Sequence, residues 1–148
     1  MGKLTKNLGI LITVWCVFGC SDHTNSLVQV RNSWVREPIG GHPITGAYME
    51  LNNTSSSTRE IIKISSVQVG RVEIHQMEDD NGTMRMRKVE SLILRPGEQR
   101  NLQPGGLHLM LMEISDVLNV GDTLSLMFHF SDGTNQLVES IVRKGPYE

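Results

Sequence analysis

From Leu27 onward, apolar residues recur at every second position, and turn-forming residues interrupt them at short intervals. A period of two is the signature of a strand with one face on a core. No stretch sustains the i, i+3, i+4 spacing of an amphipathic helix. The strand regions read as Leu27–Arg36, Gly46–Leu51, Glu60–Val69, Val72–Met77, Thr83–Val89, Glu98–Leu102, Leu107–Ile114, Thr123–Phe130 and Gln136–Val142. Breakers separate them: Pro38 to Pro43, Asn52 to Ser57, Asn81-Gly82, Pro96-Gly97, Pro104-Gly105-Gly106, Gly121-Asp122 and Asp132-Gly133. Many short strands at such spacing predict an all-β sandwich or Greek-key β-barrel, built as a single domain over 27–148.

The first residues stand apart from that domain. Met1 to Asn7 carries Lys3 and Lys6 and no acid, and Leu8 to Phe18 is apolar apart from Thr13. This is a charged segment followed by an apolar one too short to span a bilayer. Val17-Phe18-Gly19-Cys20 closes it and resembles a bacterial lipobox, with Cys20 as the residue to be lipidated. The expectation is a lipoprotein-type signal peptide over 1–20, a polar tether over 21–26, export to the periplasm or cell envelope, and a membrane anchor through Cys20. An ordinary secretory signal is the alternative.

Both cysteines, Cys16 and Cys20, fall in the leader. The domain itself therefore has no thiol, which excludes a disulfide, a zinc-thiolate cluster and a CxxC redox pair. The balance of 14 Lys+Arg against 16 Asp+Glu, with few aromatic residues, excludes a basic or base-stacking nucleic-acid surface. No nucleophile-elbow motif and no glycine-rich phosphate loop is present, so no enzyme is expected.

What remains is a set of soft donors. In Leu107-His108-Leu109-Met110-Leu111-Met112, alternation puts three leucines on one face and His108, Met110 and Met112 on the other. Val72 and Ile74 likewise share a face opposite Glu73, His75 and Met77. Met84 and Met86 share a face on the return strand, which the Asn81-Gly82 turn brings beside His75 and Met77. Imidazole nitrogen with thioether sulfur suits Cu(I) better than zinc, calcium or magnesium. A single His-x-Met is commonly surface or core, and paired Met residues are commonly filler. Two His-x-Met pairs with a Met-x-Met are harder to assign to packing. His23 and His42 lie in the tether and a loop. Met127 and His129 alternate on a late strand, where a structural role is favoured.

These residues resemble the periplasmic copper chaperone family PCu(A)C, whose motif is His-x10-Met-x21-His-x-Met. His75, Met86, His108 and Met110 match it in every spacing, and the resemblance extends from about Val28 to Val142. It implies a cupredoxin-like fold and one Cu(I) held by His75, Met86, His108 and Met110. Met77, Met84 and Met112 would be neighbours that shield the ion or assist its transfer. It also implies, as partners, the copper-bearing subunit of cytochrome c oxidase, a Sco-type thiol protein or both; the carrier is expected to be a monomer. Copper buffering without a dedicated acceptor and a metal-free interaction module remain open alternatives. A blue-copper electron carrier does not, because the domain lacks the cysteine ligand.

Overall fold

A computed structural model describes residues 28–145. The signal segment, the tether and Cys20 lie outside the described residues. Ten strands follow one another: β1 (Gln29–Arg36), β2 (Ile44–Asn52), β3 (Arg59–Ser65), β4 (Val69–Asp80), β5 (Thr83–Val89), β6 (Leu92–Leu94), β7 (Gln99–Leu102), β8 (Leu107–Ile114), β9 (Thr123–Phe130) and β10 (Asn135–Arg143). The one helical turn among the described residues is a 3-10 turn at Ile39–Gly41, inside the loop expected from its Pro and Gly content. Among the described residues no helix is long and apolar enough to cross a membrane.

The strands pair in the order β5-β4-β8-β2-β1-β10-β9-β3-β6, with β7 also on β2. β1 and β10 run parallel, and every other pair is antiparallel. Spatial neighbours such as β4 and β8, or β8 and β2, are distant in sequence, which is the crossed connectivity of a Greek key. The expected all-β, cupredoxin-like sandwich is what the chain forms.

The core follows from alternation. Val142, Val35, Ala47 and Leu109 are successive partners across β10, β1, β2 and β8, and all four are fully buried. The row continues through Ile74 on β4. Phe128, Phe130, Leu124 and Leu126 on β9 complete the core with Ile61 and Leu94. The adjacent row, one residue along, carries Trp34, Tyr48, His108 and His75. A bulge between Arg31 and Trp34, where Asn32 has φ 51°, makes this possible on β1. Val30 packs on the core and so does Val35, five positions later, because the bulge resets the alternation.

Three sequence expectations need correction. Glu60–Val69 is not one strand: pairing stops at Ser65, and Val69 already belongs to β4. Leu92–Leu94 forms a strand that alternation over three residues was too short to reveal. The second strand begins at Ile44 rather than Gly46. The Asn81-Gly82 turn is as expected: Asn81 (φ 55°) and Gly82 (φ 83°) both take the positive φ that a type I′ hairpin requires.

Leu109 is fully buried while Met84, on edge strand β5, is half exposed. Leu109→Ala should therefore lower unfolding stability by about 2–5 kcal/mol, whereas Met84→Ala should change it by no more than about 0.5 kcal/mol. Urea denaturation of the two variants checks this ordering.

Candidate metal centre

The hairpin of β4 and β5 and the strand β8 bring the expected donors together. His75 on β4 lies directly opposite His108 on β8, with ring centroids 6.0 Å apart. Met77 on β4 lies opposite Met86 on β5. Met110 lies opposite Glu73 on β4 and Gly46 on β2. All these side chains belong to the outer face of the sheet, because cross-strand partners point the same way.

The cluster borders a cavity of about 420 Å³. Met77, Met86, His108 and Met110 line it, with Tyr48, Gly46 and His42. His75 reaches the group through its contact with His108 rather than as a wall of the cavity. Met84 and Met112 share the face, opposite Asp79 and Arg71, but do not line the cavity. Met127 and His129 form no second centre. Both ring nitrogens of His129 are engaged, Nε2 with Ser65 Oγ at 2.8 Å and Nδ1 with Asn135 Oδ1 at 2.7 Å.

The hydrogen bonds settle which ring nitrogens are free. His108 Nδ1 donates to the Gly106 carbonyl at 2.9 Å, since a carbonyl can only accept. The lone pair of His108 is then on Nε2. His75 Nε2 donates to Glu73 Oε2 at 2.8 Å. That leaves His75 Nδ1 with the lone pair, and this atom is buried without a hydrogen-bond partner among the described residues. An unsatisfied buried polar atom costs about 1–3 kcal/mol, and a bound metal ion would remove that cost. The donor chemistry of the cluster, neutral imidazole and thioether, fits a soft ion. Among the described residues no group of three or more His, Cys, Asp and Glu is arranged to hold a harder one.

His108, although on the outer face of the sheet, is only 6 % exposed. Its neighbours along the cavity wall include Tyr48 and the Pro104-Gly105 turn. Glu73, on the same face of β4, is bonded to His75. That hydrogen bond holds the Glu73 carboxyl below the usual carboxylate range. Burial opposes the effect, and Lys88 and Arg71 reinforce it.

Tyr48, Gly46 and His42 were missed. Tyr48 sits between Trp34 and His108, with ring centroids at 4.6 and 6.4 Å. Gly46 is required for this placement, because a Cβ there would lie 2.5 Å from the Tyr48 hydroxyl. The Gly46-Ala47-Tyr48 alternation around a buried Ala47 was the available signal, but it said nothing of His108.

A β-sandwich that gathers His and Met side chains from β4, β5 and β8 defines a class of small soft-donor domains, and comparison with known proteins agrees on the fold. The copper-bound PCuAC domain from PmoF2 superposes with a TM-score of 0.68 at 20 % identity, over 81 % of this chain and 95 % of that one. The solution structure of CuI-DR1885 from Deinococcus radiodurans gives a TM-score of 0.64 at 23 % identity, over 82 % and 79 %. Residues 28–142 match the family described as "Putative lipoprotein LpqE-like", and the chain belongs to that family. The protein RP573 of Rickettsia prowazekii is 33 % identical over 125 residues, covering 81 % of this chain and 69 % of its own length. A relative from Leifsonia xyli described as "Putative lipoprotein Lxx21020" is 32 % identical over 112 residues, covering 75 % of this chain and 66 % of its own length.

Burial raises the Tyr48 phenol above its ordinary value, with Arg36 pulling the other way. Tyr48 thus stays a neutral wall of the cavity and supplies no phenolate to attract a hard ion. In the unfolded chain the phenol ionises near pH 10. The folded state holds its proton longer, so this contribution to stability is complete below about pH 10 and is lost as pH rises through the folded value. An ultraviolet phenolate titration of the Tyr147→Phe variant, in which Tyr48 is the remaining tyrosine, should show a midpoint above about 10.

Proposed function

We propose that this protein is a copper carrier of the cell envelope, which holds one Cu(I) through His75, Met86, His108 and Met110 and surrenders it by ligand exchange. The observation that carries the reading is the pairing of His75 with His108 beside Met77 and Met86, with a buried His75 Nδ1 that has no hydrogen-bond partner among the described residues. The shared fold of a copper-bound PCuAC domain and of CuI-DR1885 supports it. So does the family's lipoprotein description, which agrees with an exported chain anchored through Cys20. Met77, which lines the same cavity, is the neighbour best placed to assist.

The chemistry favours carriage over catalysis. Thioethers bind Cu(I) without losing a proton, and imidazoles must be neutral to bind it, so affinity falls in acid. Neutral donors hold the ion less firmly than thiolates, which suits transfer. The copper is cargo: the strands preorganise its ligands, and Met86 on the exposed edge strand leaves a route for an acceptor's ligand. The acceptor proposed is the copper-bearing subunit of cytochrome c oxidase, reached directly or through a Sco-type thiol protein.

Met86→Ala and His75→Ala should each weaken Cu(I) binding at least about tenfold, in line with the loss of a ligand or its support. Met86 is 44 % exposed, so its removal leaves no cavity in the core. Competition with a chromophoric Cu(I) chelator reads the affinities, and X-ray absorption counts nitrogen and sulfur neighbours. Wild-type affinity in both variants would refute the ligand set. Deletion of the gene should leave the oxidase short of copper until copper is added to the medium. An oxidase fully metallated without that addition would exclude the delivery role.

A further inference from the structure

The two histidines of the centre present different ring nitrogens. His108 donates through Nδ1 to a backbone carbonyl, and His75 donates through Nε2 to Glu73. We infer that Glu73 is a positioning residue, whose carboxylate fixes the tautomer and orientation of His75 so that this ring binds copper through Nδ1 while His108 binds through Nε2. The inference rests on the Cu(I) reading above.

Several features single out Glu73. It lies two residues before His75 on β4, so both side chains project from the same face. Its strand position is locked opposite Met110, one of the proposed sulfur donors. The Oε2 atom accepts from His75 at 2.8 Å, and the Oε1 atom is faced by Arg71 and Lys88 at 3.9 Å each. An ionised carboxylate only accepts, so the shared proton belongs to His75 Nε2. Turning the imidazole over would put a ring carbon against the carboxylate and forfeit a charge-assisted hydrogen bond. The ring is therefore held in one orientation, with Nδ1 buried and without a hydrogen-bond partner among the described residues.

The arrangement has consequences for selectivity. A carboxylate behind a ligating imidazole fixes its orientation and strengthens it as a ligand. The same carboxylate, left free beside two histidines, would be a hard donor inviting zinc. Here one oxygen is bound to His75 and the other is turned towards two cations. Glu73 thus supports the site from behind and is not offered to the ion.

The test uses nitrogen NMR of the protein labelled with 15N-histidine, before and after addition of Cu(I), alongside chelator competition. In the metal-free wild type, His75 should show a protonated Nε2 and a bare Nδ1, and His108 the reverse. Cu(I) should shift Nδ1 of His75 and Nε2 of His108. Glu73→Ala should lower Cu(I) affinity about 10- to 100-fold and spread the copper-induced shift over both nitrogens of His75. Glu73→Gln, whose amide oxygen still accepts, should keep the Nδ1 selectivity and recover most of the affinity. A purely structural role for Glu73 would change affinity without changing which nitrogen binds. Copper on Nε2 of His75 in the wild type, or unaltered affinity and selectivity in Glu73→Ala, would overturn the positioning role. Opposite tautomers with no shift in either ring on adding Cu(I) would instead overturn the copper reading and leave the Glu73–His75 bond standing.

Discussion

The pairing of β4 with β8 is the constraint on which the rest depends. It sets Ile74 against Leu109 in the core and, one residue along, His75 against His108 on the outer face. The two outcomes are inseparable, because side chains alternate between faces with a period of two. A slip of one residue would bury the imidazoles among leucines and expose Leu109 and Leu111. Burial of the apolar row therefore holds the functional row in register. At about 25 cal/mol per Å² of apolar surface, the core supplies a positional discipline that a few polar contacts could not.

On that scaffold the site works by what it leaves neutral. Thioethers carry no charge, imidazoles ligate in their neutral form, and burial raises the Tyr48 phenol above its ordinary value. The Glu73 carboxylate beside the histidines is engaged by His75 and faced by Arg71 and Lys88. In the proposed reading a monovalent ion finds polarisable thioether and imidazole donors. The depth of the donors also differs. His108 is enclosed, while Met86 stands on an edge strand whose side chains are largely exposed. Edge elements open most readily, which in the proposed reading eases release of the ion.

Much of this was legible along the chain. Leu107 to Met112 declared both its faces, and Asn81-Gly82 declared the hairpin that sets Met77 against Met86. Strands of eight residues, such as β8 and β9, announce themselves by alternation. The three-residue β6 could not, because so short a run has no measurable period. The bulge at Asn32 was equally hidden: an asparagine in a strand region does not reveal that the alternation shifts there. Glu73 was visible as a neighbour of His75 on one face, but its hydrogen bond depends on side-chain torsions that no pattern encodes.

By itself the sequence determined the all-β class, the lack of a thiol in the domain, and the inventory of soft donors with the faces they occupy. Those properties are local, fixed by alternation, turn chemistry and residue type. Only the tertiary structure decided that His75 meets His108 and not another residue of β8, that His108 is enclosed, and that Tyr48 and His42 border the same cavity. It also decided which ring nitrogen of each histidine is free. Such facts belong to contacts between strands far apart in the chain, and those contacts are selected by the packing of the whole core rather than by any segment alone.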